Sequence, residues 1–240
     1  MSRTEEENAL LITQSYRSYA LALFLLVYII NFVDRQIFSI LIEPIRLEIH
    51  LSDTQLGLLG GIAFAIFYTF AGIPIARWAD VGVRKNIVAL ALVIWSVMTM
   101  FTSTAKGFGT LLIARVGVGI GEAGCSPPIH SLISDMYPEE ERGTALSTYA
   151  LGIPIGAAIG TLVGGWIGEY FGWRMAFMVV GLPGVIVAIV VFFTVREPPR
   201  GYSEPDHVQV QKELVPLADT IRFLWNLKAF RHLSFAGALH

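Results

Sequence analysis

The chain has 240 residues, 54% of them hydrophobic and 15% charged, with a formal net charge of −2 and a mean hydropathy of +0.61. Soluble domains carry about 25% charged residues, so this composition excludes an ordinary water-soluble core and makes the bilayer the solvent. The near-neutral charge gives no footing for nucleic acid, and the single cysteine, Cys125, excludes an internal disulfide.

Residues 1–17 read as a cytoplasmic polar tail containing Glu5, Glu6 and Glu7. The apolar run behind it is too long for a signal-peptide core and lacks a small-residue cleavage site, so it reads as a retained first span. A span needs about 20 mainly apolar residues. Six segments qualify, at roughly 18–41, 54–76, 87–105, 110–132, 145–168 and 175–195. The expected fold is therefore an all-α membrane bundle of six spans over residues 18–195, with consecutive spans antiparallel. With the N-terminus inside, the cytoplasmic segments hold Arg3, Arg17, Arg77, Arg84, Lys85, Arg142, Arg196, Arg200 and Lys212, against Arg46, Lys106 and Arg174 outside. Lys and Arg set orientation, so this bias predicts a cytoplasmic N-terminus.

The first span carries Asp34 and Arg35 in its apolar interior, and the fourth carries Arg115 and Glu122. These are equivalent positions if spans one to three and four to six form a 3+3 inverted repeat, as in many transporters. A charge in hydrocarbon costs at least about 2.5 kcal/mol, and such residues normally face a bundle interior or a water-filled path. Arg115 and Glu122 stand seven residues apart and share a helix face. The spacing pairs Asp34 with Arg115 and Arg35 with Glu122, although the exchanged pairing also fits the register. Desolvation and a nearby arginine pull a carboxylate's proton affinity in opposite directions, so opening a cavity can tie protonation to conformation. That makes the four residues a proton-coupling and substrate-cavity site. The competing reading is a static ion-pair cluster, a poor device for stability alone.

The turn between spans two and three, Arg77 to Lys85, has mixed charge suited to a cytoplasmic junction and reads by topology alone as a positive-inside anchor. Pro127 and Pro128 follow Glu122 closely and are expected to bend the fourth span. His130 beyond them is either a packing residue or pore-lining, and no second ligand stands at metal spacing. Gly152, Gly156, Gly160, Gly164 and Gly168 form a stripe on the fifth span, suited to close helix packing or to sliding. Trp78, Trp166 and Trp173 near span ends suit interfacial anchoring. Phe24, Phe64, Phe67 and Phe70 read first as packing or lipid-facing residues, although an amphipathic substrate would use such a wall. Residues 196–229 read as a cytoplasmic linker. Within it, Leu217, Ile221, Leu224 and Leu227 mark an amphipathic helix, which lies in the interface or packs under the bundle. Residues 230–240 read as the start of a truncated seventh span. With no phosphate-binding loop and no nucleophile–base spacing, the chain reads as neither an enzyme nor a cofactor binder.

Several motifs add a resemblance. Gly72 to Lys85 resembles the signature loop between the second and third helices of the major facilitator superfamily, which implies a conformational gating loop with Asp80, Arg84 and Lys85 at its acidic and basic positions and Val81 and Val83 departing from it. Leu112 to Gly121 resembles its fourth-helix motif, and Gly156 to Gly165 its fifth-helix motif, with Thr161 where proline is usual. Gly172-Trp173-Arg174 also fits. More closely, Val33-Asp34-Arg35-Gln36, Arg115 to Gly124, and Val195-Arg196-Glu197-Pro198-Pro199 resemble bacterial Spinster-like transporters. That resemblance implies the N-terminal half of a twelve-span secondary transporter in a bacterial inner membrane. The expected cargo is an amphipathic, lysolipid- or sphingolipid-like molecule, moved by alternating access with protons. It also implies that a C-terminal half is missing, and that the Asp80 loop and the glycine stripe would lack their partner. A non-transporting subunit, or a fragment inactive alone, is the alternative.

Overall fold

The computed structural model describes residues 12–203 and 216–238. Expectations placed on 1–11, 204–215 and 239–240, among them the Glu5–Glu7 tail and Lys212, lie outside the described residues. The chain divides into two units, Met1–Val210 and Gln211–His240, and every regular element among the described residues is helical.

Helix α1, Gln14–Ile49, begins where the Thr13 hydroxyl accepts the Tyr16 N–H at 3.3 Å and ends at His50, which adopts the left-handed conformation. Its 36 residues reach about 54 Å. That exceeds a hydrocarbon core of about 30 Å, so its ends project. The second span starts with α2, Asp53–Gly57, closed by a capping box between Ser52 and Gln55. It passes through a π-helical turn at Leu58–Ile62 and continues as α3, Ala63–Val81. The third span is α4, Arg84–Thr102. The fourth is α5, Phe108–Ala123, and α6, Ser126–Met136. The prolines at the start of α6 lack N–H donors and suit a first turn, so the expected bend after Glu122 is present at Gly124–Cys125.

Beyond this lie α7, Glu139–Ala150, and α8, Gly152–Thr194. Among the described residues five stretches are long and apolar enough to cross a membrane, and the last, Glu139–Thr194, has 56 residues. At 1.5 Å per residue it would measure about 84 Å, far more than one crossing. It breaks at Gly172, whose φ of 80° and ψ of 160° are non-helical. This conformation favours glycine, since a Cβ would clash with the backbone. The segments expected at 145–168 and 175–195 fall on either side of that break.

The glycine stripe is occupied within this chain. A Cβ on Gly152 would lie 2.8 Å from Cβ of Tyr28, and one on Gly156 would lie 2.5 Å from the carbonyl oxygen of Ile29. On Gly160 it would lie 2.9 Å from Cβ of Gln36, and on Gly164 2.9 Å from Cγ1 of Ile37; Gly168 abuts Leu41. The expectation that the stripe lacks a partner is therefore corrected: four-residue spacing lays these glycines along one face, and α1 fills it.

Two apolar clusters form the interior of this unit. One gathers Phe24, Leu92, Trp95, Ile129 and Tyr149 toward the Arg84 end. The other gathers Ile37, Phe38, Leu59, Leu111 and Phe177 toward the Trp173 end. Along α1 the first cluster ends at Ile30 and the second begins at Val33. Polar residues occupy the seam.

The second unit holds α9, Leu217–Asn226, and α10, Lys228–Ala238. Leu217, Ile221 and Leu227 are exposed on it, as are Phe230, Leu233 and Phe235.

Candidate functional site

All four charged residues expected in the spans meet at the seam between the two apolar clusters. Asp34, Arg115 and Glu122 are buried, with 2%, 5% and 1% of their surface exposed. Arg35 keeps 32% of its side chain open. Its Nε donates to Glu122 Oε2 at 2.6 Å, a charge-assisted bond at the short end of the range. The guanidinium also lies over the rings of Phe32, Phe64 and Tyr68, at 5.2, 5.0 and 5.1 Å from their centroids. The Arg35–Glu122 pairing read from the spacing is present.

Asp34 and Arg115 do not pair. The Thr99 hydroxyl on α4 donates to Asp34 Oδ2 at 3.0 Å, and Oδ1 has no hydrogen-bond partner among the described residues. Arg115 stacks on Phe38, 4.0 Å from the ring centroid, and its Nε donates to the Leu59 carbonyl at 3.4 Å. Adjacent residues on a helix point about 100° apart. Arg35 takes its hydrogen bond to the fourth span and Asp34 takes its own to the third. Leu59 stands in the π-helical turn, a geometry often found at functional positions.

Sequence reading missed Thr99, Leu59 and the rings of Phe32 and Tyr68, and offered Phe64 as a packing or lipid-facing residue with a substrate wall as the alternative. Phe64 is not a lipid-facing residue, since it lies near Arg115 as well, at 5.2 Å. Charged neighbours were the only signal that could have reassigned it. Beyond Glu122, Tyr28 and Tyr149 stack at 4.2 Å, and the exposed His130 sets its ring edge-on to Tyr149 at 5.4 Å.

A second polar group closes the end of the bundle where the Asp80 loop lies. Arg84 is fully buried. Its Nε donates to Glu197 at 2.6 Å, and one terminal nitrogen donates to Ser131 at 2.8 Å and to Asp135. The other donates to the Pro198 carbonyl at 2.9 Å. Lys85 gives its backbone N–H to Glu197 at 3.0 Å and its ammonium to the Phe192 carbonyl at 3.4 Å. Arg200 donates to the carbonyls of Ala79 and Gly82 at 2.6 and 3.1 Å. Partial burial, with Arg84 close by, lowers its pKa from the usual arginine value. Of the three expected loop residues, Arg84 and Lys85 enter this cluster while Asp80 stays exposed. Asp135 went unnoticed because an acid at a span end looks like an ordinary headgroup-level residue.

At the opposite end Glu48 accepts from Trp173 Nε1 at 2.6 Å and also from Arg174, which donates to the Ala105 carbonyl at 2.8 Å. Trp173 is only 4% exposed, so it is a buried latch rather than an interfacial anchor. Trp78 and Trp166 are exposed.

The sequence and the fold are similar to those of known transporters. A curated relative in Mycolicibacterium smegmatis, an MFS-type efflux pump, is 36% identical over 73% of this chain and 41% of its own length. A hexuronate transporter of Bacillus subtilis is 32% identical over 72% of this chain and 40% of its own. Protein spinster of Drosophila melanogaster is 28% identical over 89% of this chain and 36% of its own. The chain thus spans less than half the length of these relatives. A solved bacterial homolog of the human lysosomal transporter Spinster, inward-facing and occupied, superposes with a TM-score of 0.77 at 43% identity, covering 81% of this chain and 47% of that one. Its unoccupied, inward-facing form gives 0.76 at 42% identity, with coverages of 81% and 46%. The Major Facilitator Superfamily model matches residues 24–239, and the chain, a multi-pass membrane protein, belongs to that superfamily.

Proposed function

We propose that the chain supplies one six-span half of a secondary transporter that works by alternating access. Its N-terminus lies on the cytoplasmic side, in a bacterial inner membrane. The observation that carries this reading is Arg35: a partly open guanidinium, held by a buried carboxylate, inside a wall of three aromatic rings. A cation at the mouth of an aromatic wall suits a molecule with an anionic head and an apolar body, such as a lysolipid. Arg35 takes the head, and Glu122 returns to a proton when the cargo draws Arg35 away. Asp34 and Arg115 form the adjoining part of the cavity. Protons drive the cycle, and the Arg84 cluster gates it.

The second half belongs on the face of span two. Only 11% of the apolar window in Asp53–Val81 is buried, against 44–56% in the other four stretches. Phe70 on that face is 72% exposed. The glycines Gly152, Gly156, Gly160 and Gly164 hold span one against span five, so this half rocks as a body.

The test is reconstitution into proteoliposomes with internal pH as the readout, against a panel of lysolipids and amphipathic anions. The chain and the longest reading frame containing it are compared, each with and without Glu122→Gln. The expected result is proton-linked flux in the longer protein, abolished by the substitution. Substrate-dependent flux that persists unchanged in Glu122→Gln would overturn the coupling role. Flux in neither, with both proteins inserted and folded, would overturn the transport reading for this substrate class.

A further inference from the structure

Spans three and six enclose a groove that the transport reading does not use. Its volume is about 300 Å³, and its lining includes Asn86, Leu90 and Val93 of α4 with Ile189, Phe192 and Phe193 of α8. Leu90 and Phe193 are 47% and 76% exposed, so the groove opens outward. It also faces away from the charged seam. Thr99, which reaches Asp34, stands nine residues from Leu90, which at 100° per residue puts the two about 180° apart around α4. The polar cavity and the lipid-facing surface are thus served by opposite sides of one helix.

The groove has a polar end. Lys85 is tied by its ammonium to the carbonyl of Phe192, itself a lining residue, and Asn86 is exposed beside it. The carbonyl is a neutral acceptor and adds no counter-charge to the ammonium. Phe192 and Phe193 meet edge to face with centroids 5.1 Å apart, forming one wall. An apolar slot with a fixed cation at its headgroup-level end complements an acyl chain attached to an anionic head.

We propose that this groove is a binding site for an anionic phospholipid of the surrounding membrane, one acyl chain lying between spans three and six and the phosphate at Lys85 and Asn86. The occupant is a structural lipid, distinct from any transported molecule.

Native mass spectrometry of the purified chain tests this, with phosphatidylglycerol and phosphatidylcholine of identical acyl chains titrated separately. The expected result is one tightly retained phosphatidylglycerol, with weaker phosphatidylcholine. Lys85→Gln should weaken phosphatidylglycerol about fivefold, the effect of one basic residue near an anionic head, and leave phosphatidylcholine unchanged. Asn86→Glu, at an exposed position that leaves the Arg84 cluster intact, should weaken it further. Val93→Trp, which fills the groove, should remove both lipids. Equal retention of the two lipids by the unmodified chain would overturn the proposal. So would phosphatidylglycerol binding unaffected by Val93→Trp, or a dimer that Val93→Trp dissociates, since the groove would then seat a second copy.

Discussion

Asp34 has one bonded oxygen and one unbonded oxygen, and among the described residues Thr99 is its only hydrogen-bond donor. Thr99→Val keeps the shape and removes that donor. It should destabilise the protein by about 1–3 kcal/mol, the desolvation penalty of a stranded buried acceptor, whereas Thr99→Ser should be close to neutral. Thermal unfolding in detergent reads both. The Arg35–Glu122 pair calls for a cycle. Arg35→Ala leaves Glu122 buried without its cation and should cost about 3–5 kcal/mol, while adding Glu122→Leu should recover most of that loss. The four charged residues and their partners were legible in sequence to different degrees, for a physical reason. A charge in an apolar run stands out by type alone, so all four residues and the Arg35–Glu122 bond could be read. A threonine or phenylalanine is ordinary in a span, so Thr99 gave no signal and Phe64 only the general one of an aromatic wall. The Leu59 carbonyl gave none either, because Leu58–Ile62 reads as plain apolar helix and its π-helical winding depends on packing.

At the level of elements, the glycine stripe separates close packing from open surface. Gly156→Leu would drive a side chain into the Ile29 backbone and should destabilise by about 1–3 kcal/mol or more through overpacking. Gly165, further along the same helix, has no neighbour within 4 Å of the place a Cβ would occupy. Gly165→Ala should therefore be neutral or stabilise by up to about 1 kcal/mol through helix propensity. Circular dichroism melts of the two variants side by side decide whether the stripe is a packing face. The six spans were legible because hydrophobic length needs no tertiary knowledge. The break after Glu122 was legible because proline cannot continue a helix. The union of spans five and six into one run interrupted only at Gly172 was not, since a Gly-Trp-Arg connection carries no mark of how tightly it turns. Nor was the partner of the glycine stripe, because small residues announce a close approach without naming what approaches.

On the scale of the whole molecule, the proposed orientation makes a direct prediction. Cys125 is 1% exposed and should resist labelling, giving a quiet background. Glu140→Cys should then react with a membrane-impermeant thiol reagent only in inside-out vesicles, and Lys106→Cys only in right-side-out ones; the reverse pattern would invert the topology. Polar clusters pin both ends of the first unit, at Arg84 and at Glu48, and span two is the least buried of its spans. That difference was not legible in sequence, because apolar residues in a packed span and in a bare one look alike. The charged seam has a further consequence for the birth of the chain. Arg35 and Glu122 are 87 residues apart, and Asp34 and Thr99 are 65 apart. At about 5–20 residues per second the ribosome delivers Glu122 roughly 4–17 s after Arg35. For roughly the first 3–13 s neither Asp34 nor Arg35 has its finished partner, and Arg35 lacks Glu122 for the whole interval. The nascent helix must wait beside the insertion machinery, or let its charges reach toward water, until the third and fourth helices emerge to receive them.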